Sequence, residues 1–339
     1  MNRDLQIIID PESINIDKWA EFVKHHDKRN VFQTPEMYFV YKKSGIYEPL
    51  VFTAMKGDTI CGVVVAYILK EHKGLLGKFS SRAVIWGGPL VSSPEVMHIL
   101  LSKLNFHLKN KIVYTQFRNI FSVENFRDSF ESSGYFFEDH QDILIDLTRG
   151  VDFIWENIHK NRKKEIKNGL KKGLNVTQVF LAEQDILHDL YDLLQKLYKR
   201  IKLPVPPLTF FISAVNNLEK TGYLKTFVAK VEEKIVGFRM ILTYGGLIYD
   251  WYAASDQNYL NYRPNDVLPW EILKWGCENK YERFDFGGAG KPNEAYGVRD
   301  YKLKFGGSLV NYGRYNRINN KPLYYFAKTA FQFKRTIGL

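Results

Sequence analysis

The chain has 339 residues, of which 45% are hydrophobic and 15% aromatic, and this composition indicates a folded protein rather than a disordered one. Its length predicts roughly two domains. The formal net charge of +11 favours phosphate-bearing partners such as nucleic acid, nucleotide carriers or anionic lipid headgroups. Cys61 and Cys277 are too few for a disulfide framework or a zinc quartet, and the histidines show no metal-binding spacing, so we expect no metal.

The N-terminal residues lack the apolar core of a signal peptide, and the longest apolar run, near residues 60–69, is too short to cross a bilayer. We expect a cytoplasmic protein that acts as a monomer. Residues 321–339 are predicted to form a basic amphipathic helix. We expect this helix to dock on the first domain, and a peripheral contact with an anionic membrane is the alternative.

The first half of the chain predicts two short helices and then an α/β unit. Thr34 and Pro35 are typical of a helix start, as cap and first-turn proline. The predicted elements, in order, are helices over residues 16–26 and 34–43, a hairpin about Gly57 and Asp58, a strand over 83–86, a helix over 94–110 and a strand over 111–118.

The second half repeats this order of elements. Four residues of the first hairpin recur at one constant offset: Phe52, Ala54, Ile60 and Gly62 correspond to Phe227, Ala229, Ile235 and Gly237. A strand, a helix and another strand again follow, over residues 247–253, 264–279 and 281–286. We therefore predict an α/β fold with mixed sheets, in which a duplicated unit forms one domain over residues 1–150 and another over 151–320.

A lysine-rich segment lies between the two copies. We predict one helix there, capped by Asp152 and ended by Gly173. Helical spacing places five of its lysines on one face, namely Lys160, Lys163, Lys164, Lys167 and Lys171. Because like charges at this spacing repel, the pattern indicates a surface that binds a polyanion; an ordinary solvated face is the alternative.

A glycine pair near residue 245 joins two predicted strands. A two-residue loop at this point would place Asp250 opposite Ile241 and Tyr252 opposite Arg239. Alternation then predicts Arg239, Asp250 and Tyr252 on one face of the sheet and Trp251 on the other. Asp250 fits either a structural ion pair with Arg239 or a functional position beside an attacking amine, as orienting acceptor or base.

The segment from residue 281 to residue 315 is the predicted centre of the site. A strand signal there ends at a glycine pair, a polar loop follows, and a second strand signal covers residues 309–315. The loop region carries the cations Lys291, Arg299, Lys302 and Lys304, which suit an anionic substrate. In the alternative interpretation the glycines form plain turns and the lysines a solvated face.

Three polar residues flank this segment. Asp285 interrupts an aromatic strand and must be paired or lie beside a wet cleft. Arg263 and Asn265 stand at the start of a predicted helix, where free amides suit a phosphate; ordinary capping fits equally. No Walker loop and no nucleophile–base set stands out, so covalent catalysis has no support in the sequence.

Three runs of sequence resemble the FemABX-like peptidoglycan-bridge aminoacyltransferases: YDWYAAS, NYRPNDVLPWEILKWGCENKYERFDFGG and GVRDYKLKFGG. The resemblance is clearest over residues 155–315. It implies two tandem GNAT (acetyltransferase-fold) domains, in agreement with the repeat. It also implies transfer of an amino acid from an aminoacyl-tRNA ester to an amine of a peptidoglycan precursor, without a metal or a covalent intermediate. Between residues 182 and 264 there is no room for the coiled-coil arm that some members carry.

The resemblance also implies roles for individual residues. It makes Lys302 the functional lysine, placed against a phosphate or a developing oxyanion, and Tyr252 a substrate-site tyrosine. Together with the residue patterns, it leads us to expect catalytic roles for Lys302, Tyr252 and Asp250. Substrate contacts are expected from Arg200, Arg263, Asn265, Asp285, Arg299 and Lys304, and phosphate contacts with tRNA from Lys160, Lys163, Lys164, Lys167 and Lys171.

Two other functions fit the same features. One is a GNAT-type acyltransferase that uses acyl-CoA on a cell-envelope sugar or lipid. The other is a non-enzymatic protein that binds tRNA or another polyanion. In the enzymatic alternatives aminoacyl-tRNA or acyl-CoA is a co-substrate, and no bound cofactor is expected. RNA binding with a steep salt dependence would favour the tRNA-dependent enzyme or the binding protein.

Overall fold

The computed structural model describes residues 5–70, 81–182, 186–325 and 329. The chain forms two compact units, which we call unit 1 (the described residues up to Asp139 and from Tyr312 onward) and unit 2 (His140–Asn311). The sequence placed these boundaries after residues 150 and 320 instead. Of the predicted tail helix, residues 321–325 are helical, and the remainder, apart from Thr329, lies outside the described residues.

Unit 1 is built on a mixed sheet. Its strands lie in the order β1-β2-β3-β4-β6-β15-β7, β5 pairs with β3, and β4 runs parallel to β6. The strands are β1 (Leu5–Ile8), β2 (Glu48–Lys56), β3 (Thr59–Leu69), β4 (Arg82–Trp86), β5 (Leu90–Val91), β6 (Tyr114–Arg118), β7 (Phe136–Glu138) and β15 (Arg314–Ile318). The helices are α1 (Ile16–His25), α2 (Pro35–Ser44), α3 (Pro94–Leu108) and α4 (Arg127–Ser132).

Unit 2 is built on a second mixed sheet, in the order β14-β8-β13-β12-β11-β10-β9, with β12 parallel to β13. Its strands are β8 (Gln141–Asp146), β9 (Leu174–Val179), β10 (Leu224–Val231), β11 (Lys234–Tyr244), β12 (Leu247–Ser255), β13 (Arg283–Gly288) and β14 (Ser308–Asn311). The helices are α5 (Gly150–Asn157), α6 (Lys160–Lys171), α7 (Leu187–Arg200), α8 (Leu208–Ala214), α9 (Pro264–Glu278) and α10 (Gly297–Leu303).

Short single turns complete the two units. They are 3-10 turns at Pro11–Ser13, Val31–Gln33, Glu124–Phe126, Leu147–Arg149 and Gln257–Tyr262, and a π-helical segment at Val215–Glu219. In the part of the chain that the structure describes, the longest helices are α3 and α9, with 15 residues each. No helix there is long and apolar enough to span a membrane.

The predicted duplication is confirmed, down to the register of the first hairpin in each unit. Ala54 pairs with Gly62 and Ala229 pairs with Gly237, and the register shifts directly after each alanine. Both hairpins are followed by a strand, a long helix and a parallel strand. Read from one edge, the two sheets have the same arrangement, with β15 in the position that β8 holds in unit 2. The fold class predicted from the sequence is therefore correct.

The strand signal predicted over residues 309–315 is in fact two strands in different sheets. β14 pairs with β8 in unit 2, whereas β15 pairs with β6 and β7 in unit 1. Gly313 lies between them with a φ of +64°, which favours glycine, and its missing Cβ leaves room for the ring of Phe137. The chain therefore leaves unit 2 after Asn311, and this exit sets the unit boundary.

Two predicted elements near the site also differ. The single helix expected from Asp152 to Gly173 is two helices, because Ile158 is buried in the core with an extended backbone (ψ 132°) and His159 starts α6 as its N-cap. The polar loop expected after β13 contains helix α10. Both differences arise from tertiary packing, which local sequence patterns do not encode.

The packing of α9 against the sheet of unit 2 fixes where the strands separate. A Cβ on Gly276 of α9 would lie 2.8 Å from Ile248 Cδ1, so the helix sits very close to β12. β12 and β13 pair only from Leu247 to Tyr249 and from Arg283 to Asp285. Beyond these residues the two parallel strands are no longer hydrogen-bonded to each other. An opening at this point is where ligands bind in many α/β sheets.

Candidate functional site

Lys302 lies over the end of β13, where α10 places it. Its Nζ donates hydrogen bonds to the carbonyl oxygens of Phe286 (2.6 Å), Gly287 (3.2 Å) and Gly288 (2.9 Å). Gly287 has a φ of +66°, and this turn brings the carbonyls together. An ammonium group has three donors, so these carbonyls use all of them. Burial lowers the pKa of Lys302, and the nearby carboxylates, Asp250 first among them, act against that shift.

Asp250 and Arg239 form an ion pair on neighbouring strands, with side chains only 10% and 7% exposed. Asp250 faces Ile241, as predicted. Burial lowers the pKa of Arg239, but the charge of Asp250 and the hydroxyl of Tyr301 outweigh burial, and the pKa is raised overall. Oδ2 of Asp250 contacts Arg239, whereas Oδ1 is buried without a hydrogen-bond partner among the described residues. Asp250 therefore keeps one free acceptor.

The predicted position of Tyr252 is wrong. A bulge shifts the register, so Tyr252 pairs with Met240, and Arg239 pairs with Ala253. The extra residue is Trp251, and its ring contacts the same aromatic side chains as that of Tyr252. Phe211 lies 4.9 Å from Tyr252 and 6.5 Å from Trp251, measured between ring centroids. The two rings therefore share one side of the sheet, because a bulge breaks strict alternation.

A group that the sequence analysis missed surrounds Tyr301. The guanidinium of Arg162 lies 4.5 Å from the centroid of the Tyr301 ring and forms a buried ion pair with Asp266. The Tyr301 hydroxyl donates to the backbone carbonyl of Asn265 and accepts from Arg239 Nη2 at 3.4 Å. Tyr301 thus joins α6, α9 and β11. In the sequence, only the position of Tyr301 directly before Lys302 could have indicated that it belongs to the site.

Three of the expected substrate contacts are engaged by the protein itself. Arg263 Nε lies 2.7 Å from Glu165 Oε2, and Asn265 Oδ1 accepts from the Ser255 hydroxyl at 2.9 Å. Arg299 holds its own loop by donating to the Gln141 side chain (2.7 Å) and to the carbonyls of two loop residues, Lys291 (2.6 Å) and Glu294. These side chains position the backbone around the site.

The side chains of Lys304, Arg200 and Tyr252 form none of the hydrogen bonds or ion pairs described above for Lys302, Asp250 and Arg239. Lys304 is exposed at the end of α10. Arg200 is exposed at the end of α7, where it lines a cleft of about 210 Å³ with Lys196 and Asp256. Tyr252 is half-buried between the rings of α8 and β12.

Asp285 is fully buried behind the Lys302 turn. Its Oδ1 accepts a hydrogen bond from the Gly287 amide at 2.7 Å, and its Oδ2 has no hydrogen-bond partner in the described part of the chain. Burial, and after it the charge of Asp142, raises the pKa of Asp285 well above its usual range. The hydrogen bond from the Gly287 amide and the charge of Lys302 act in the opposite direction. Asp285 therefore supports the turn from inside the protein.

Helix α6 contains all five lysines of the predicted cationic face. Lys160, Lys164, Lys167 and Lys171 are exposed, and Lys163 is half-buried with Nζ donating to the Glu156 carbonyl at 2.9 Å. Within residues 5–70, 81–182 and 186–325, none of the five forms an ion pair. The one acid of the helix, Glu165, pairs with Arg263 instead. The charge of this face is therefore not neutralised by the side chains around it.

Unit 1 carries a second polar group that the sequence did not reveal. The guanidinium of Arg118 lies 4.8 Å from the centroid of the Trp86 ring, and its Nε donates to Gln116 Oε1 at 2.7 Å. Gln116 in turn donates to Asn316 at 2.9 Å. Asn316 is on β15, from the far end of the chain, so no local motif could have indicated the group. It offers a cation and an aromatic face on one side of the sheet.

Neither unit offers an obvious metal centre. Among the described residues there is no group of three or more histidine, cysteine, aspartate or glutamate side chains that could hold a metal ion. The two cysteines are free and half-buried, and burial raises the pKa of both thiols.

Comparisons with known proteins find relatives in sequence and in fold. Residues 160–303 match the model described as an acetyltransferase (GNAT) domain. A lipid II:glycine glycyltransferase of Staphylococcus epidermidis is 27% identical over 123 residues, which are 33% of this chain and 30% of the relative. The crystal structure of FemX aligns over 95% of this chain and 99% of its own, with a TM-score of 0.73 and 15% identity. The chain thus resembles the FemABX-like proteins in part of its sequence and in its fold.

A tandem GNAT protein from the clavulanic acid biosynthesis pathway is similar in fold as well. It covers 93% of this chain and 99% of its own, with a TM-score of 0.61 and 7% identity. The match spans less than a third of the length of the Staphylococcus epidermidis glycyltransferase. The matched GNAT region contains α6, Asp250, Arg239 and Lys302, so the sequence match and the polar cluster fall on the same part of the chain.

Proposed function

We propose that the chain is an N-acyltransferase that moves an aminoacyl group from aminoacyl-tRNA to an amine of a peptidoglycan precursor. The observation that carries the proposal is the cluster of Lys302, Asp250 and Arg239 within the GNAT-matched region, at the point where β12 and β13 separate. The relative's name, lipid II:glycine glycyltransferase, supports a peptidoglycan precursor as the acceptor.

The reaction needs positioning rather than a nucleophilic side chain, because the ester of an aminoacyl-tRNA is already activated. The acceptor nitrogen forms a bond to the ester carbon, the bond from that carbon to the ribose oxygen breaks, and the proton lost by nitrogen ends on that oxygen. Positioning contributes on the order of 7–11 kcal/mol. One well-placed stabiliser of the oxyanion contributes roughly 3–4 kcal/mol more.

The residues of the cluster supply complementary parts of this chemistry. Oδ1 of Asp250 is a buried acceptor without a partner in the described chain, and in this proposal it orients the attacking amine, while Arg239 holds the other carboxylate oxygen. Lys302 supplies positive charge beside the strand end. Since its three donors are already directed at carbonyls, it acts through its charge and by holding the turn. The catalytic role of Tyr252 stays a prediction, because its ring packs against Phe211 and Trp251.

The donor is assigned to tRNA because of α6. Its lysines carry no ion-pair partners in the described chain, and phosphates would relieve their mutual repulsion. The proposal includes a cytoplasmic monomer that needs no bound cofactor and contacts the membrane peripherally where its acceptor is lipid-linked.

The test is to incubate the full chain with mixed charged tRNAs and muropeptide precursors, and to search by mass spectrometry for an added amino acid. We expect a mass increase that requires both substrates, and its absence in Lys302→Ala with RNA affinity retained. If the chain binds RNA but no combination of tRNA and precursor gives a mass increase, the result would instead support a non-enzymatic polyanion-binding protein.

A second candidate is an acyltransferase that uses acyl-CoA on a cell-envelope sugar or lipid. The observation that favours it is the match of residues 160–303 to an acetyltransferase model. Release of free CoA thiol from acetyl-CoA in the presence of an amine acceptor, with no dependence on tRNA, would select this candidate over the first.

A further inference from the structure

The loop between α7 and α8, residues 201–207, exposes apolar side chains; we call it the tip loop. Ile201 and Leu203 are 45% and 57% exposed, and Pro204 and Pro207 are exposed beside them. Single exposed aliphatic residues are common on protein surfaces. Here Ile201 and Leu203 lie two residues apart directly after α7, and Leu203 lines a cleft together with Val205.

The tip loop has a fixed conformation. The amide of Leu203 donates to the carbonyl of Tyr198 (3.1 Å) and that of Lys202 to the carbonyl of Lys199 (3.3 Å), which closes the end of α7. At the other end the Tyr191 hydroxyl donates to the carbonyl of Pro206 at 3.1 Å. The exposed side chains therefore belong to a preformed loop, and binding costs little conformational entropy for ordering that loop.

Few backbone donors of the tip loop would be left unpaired in an apolar medium. The amides of residues 201, 202 and 203 are bonded within the turn, and Pro204, Pro206 and Pro207 have no amide hydrogen. Loss of water from unpaired backbone groups is the main obstacle to burying a loop in lipid. This obstacle is small here.

The surroundings of the tip loop are cationic. Residues 193–218 contain no aspartate or glutamate, and their cations are Lys196, Lys199, Arg200 and Lys202. Lys196, Lys199 and Arg200 form no ion pair in the part of the chain that the structure describes. Asp192 lines a cleft of about 580 Å³ with Lys196 and Lys199, and Asp256 lines a second cleft with Arg200.

Lys202 occupies a position that ordinarily favours glycine, because its φ is +53°. A lysine in this conformation is less stable than glycine would be. Its presence therefore adds a positive charge to the tip loop at some cost to local stability.

We propose that the tip loop docks on an anionic lipid surface. Ile201 and Leu203 enter the boundary between headgroups and acyl chains, and the surrounding cations contact the headgroup phosphates. Aliphatic side chains ringed by lysine and arginine are the pattern of an interfacial membrane contact. A nucleic acid would instead favour aromatic and polar contacts. The inference rests on the peripheral membrane contact included in the proposed function and assigns that contact to one surface, and it does not depend on the transfer reaction.

The test measures binding of the full chain to vesicles by sedimentation, without any substrate. We compare phosphatidylcholine vesicles with vesicles that also contain phosphatidylglycerol. The wild type should bind the anionic vesicles more tightly. The double variant Ile201→Ser/Leu203→Ser should weaken that binding by about tenfold or more. Lys199→Gln/Lys202→Gln should remove most of the preference for the anionic lipid.

Two controls make the result specific. Ile16→Ser changes a side chain of unit 1 that is equally exposed, at 45%, and should leave vesicle binding unchanged. RNA affinity and thermal unfolding of the tip variants should match the wild type, since α6 and both cores are untouched. The full chain is used in every variant, so any contribution from residues after 325 is constant.

Three outcomes would overturn the proposal. The first is a wild type that does not bind phosphatidylglycerol vesicles. The second is full binding by Ile201→Ser/Leu203→Ser together with loss in Lys199→Gln/Lys202→Gln, which would mean adsorption by charge alone. The third is that the tip variants lose RNA affinity while vesicle binding is kept, which would make the tip loop a nucleic-acid contact.

Discussion

The hydroxyl of Tyr301 donates its hydrogen bond to the backbone carbonyl of Asn265 in the first turn of α9. In an uninterrupted helix that carbonyl would accept from the amide four residues later. That residue is Pro269, which has no amide hydrogen. The proline therefore frees a carbonyl, and a side chain from α10 satisfies it. This bond ties the helix that carries Lys302 to the start of the long helix of unit 2.

Removing this hydroxyl should destabilise unit 2. We expect Tyr301→Phe to lower the free energy of unfolding by about 1–3 kcal/mol, because the carbonyl of Asn265 loses its donor. In a Pro269→Ala background the restored amide can occupy that carbonyl, so the same substitution should cost less. Urea unfolding of the four proteins of this double-mutant cycle measures the difference. Tyr296→Phe, at an exposed tyrosine beside α10, is the control; equal losses in both backgrounds would contradict the assignment.

The sequence predicted the architecture well because duplication leaves two independent signals. The offset between Phe52 and Phe227 and the matching order of elements together indicated two α/β units, and the register of both hairpins agrees. The polar cluster was harder to predict. Asp250 was placed opposite Ile241 correctly, but the bulge at Trp251 has no local signature, so the position of Tyr252 was wrong.

The remaining differences arise from contacts between distant segments. The lysine pattern of α6 gave no role to Arg162, yet this side chain is directed at Tyr301 and Asp266. Likewise, Arg263 and Arg299 are bound by protein groups that the sequence could not pair with them. A pattern of residue types predicts which face of an element a side chain occupies, and tertiary structure decides what that side chain meets.

Lys302 should be needed for turnover and for the shape of the β13 turn. In Lys302→Ala the carbonyls of residues 286–288 lose their shared donor and the site loses a positive charge. We expect the transfer rate to fall by roughly 10²–10³-fold, as for loss of one electrostatic stabiliser. The measurement is the initial rate by mass spectrometry. Lys220→Ala, at an exposed lysine of unit 2, is the matched control. An unchanged rate in Lys302→Ala would remove Lys302 from the mechanism.

Asp285 should make the stability of unit 2 depend on pH. Its folded pKa is raised, so the folded protein holds this proton more tightly than the unfolded chain. That contribution to stability is complete below the unfolded pKa of about 4 and is lost as pH rises through the folded pKa. Asp285→Asn mimics the protonated acid, and its free energy of unfolding relative to wild type should therefore increase as pH rises above that value.

Urea unfolding at a series of pH values measures this effect. Asp300→Asn, at an exposed aspartate of α10, controls for the substitution itself. A difference between Asp285→Asn and the wild type that stays constant across the series would show that folding does not raise the pKa of Asp285.

The lysines of α6 should determine how RNA binding responds to salt. Each phosphate contact adds roughly 0.7 to 0.9 to the slope of log affinity against log salt concentration. The triple variant Lys164→Gln/Lys167→Gln/Lys171→Gln should therefore reduce the slope by about 2 and weaken binding most at low salt. Titration of a labelled tRNA across a salt series measures it. The control is the double variant Lys220→Gln/Lys280→Gln, at exposed lysines outside α6. Its slope should equal that of the wild type. If the two variants reduce the slope by the same amount for each charge removed, the attraction comes from the net charge of the chain, and α6 is not the RNA-binding face.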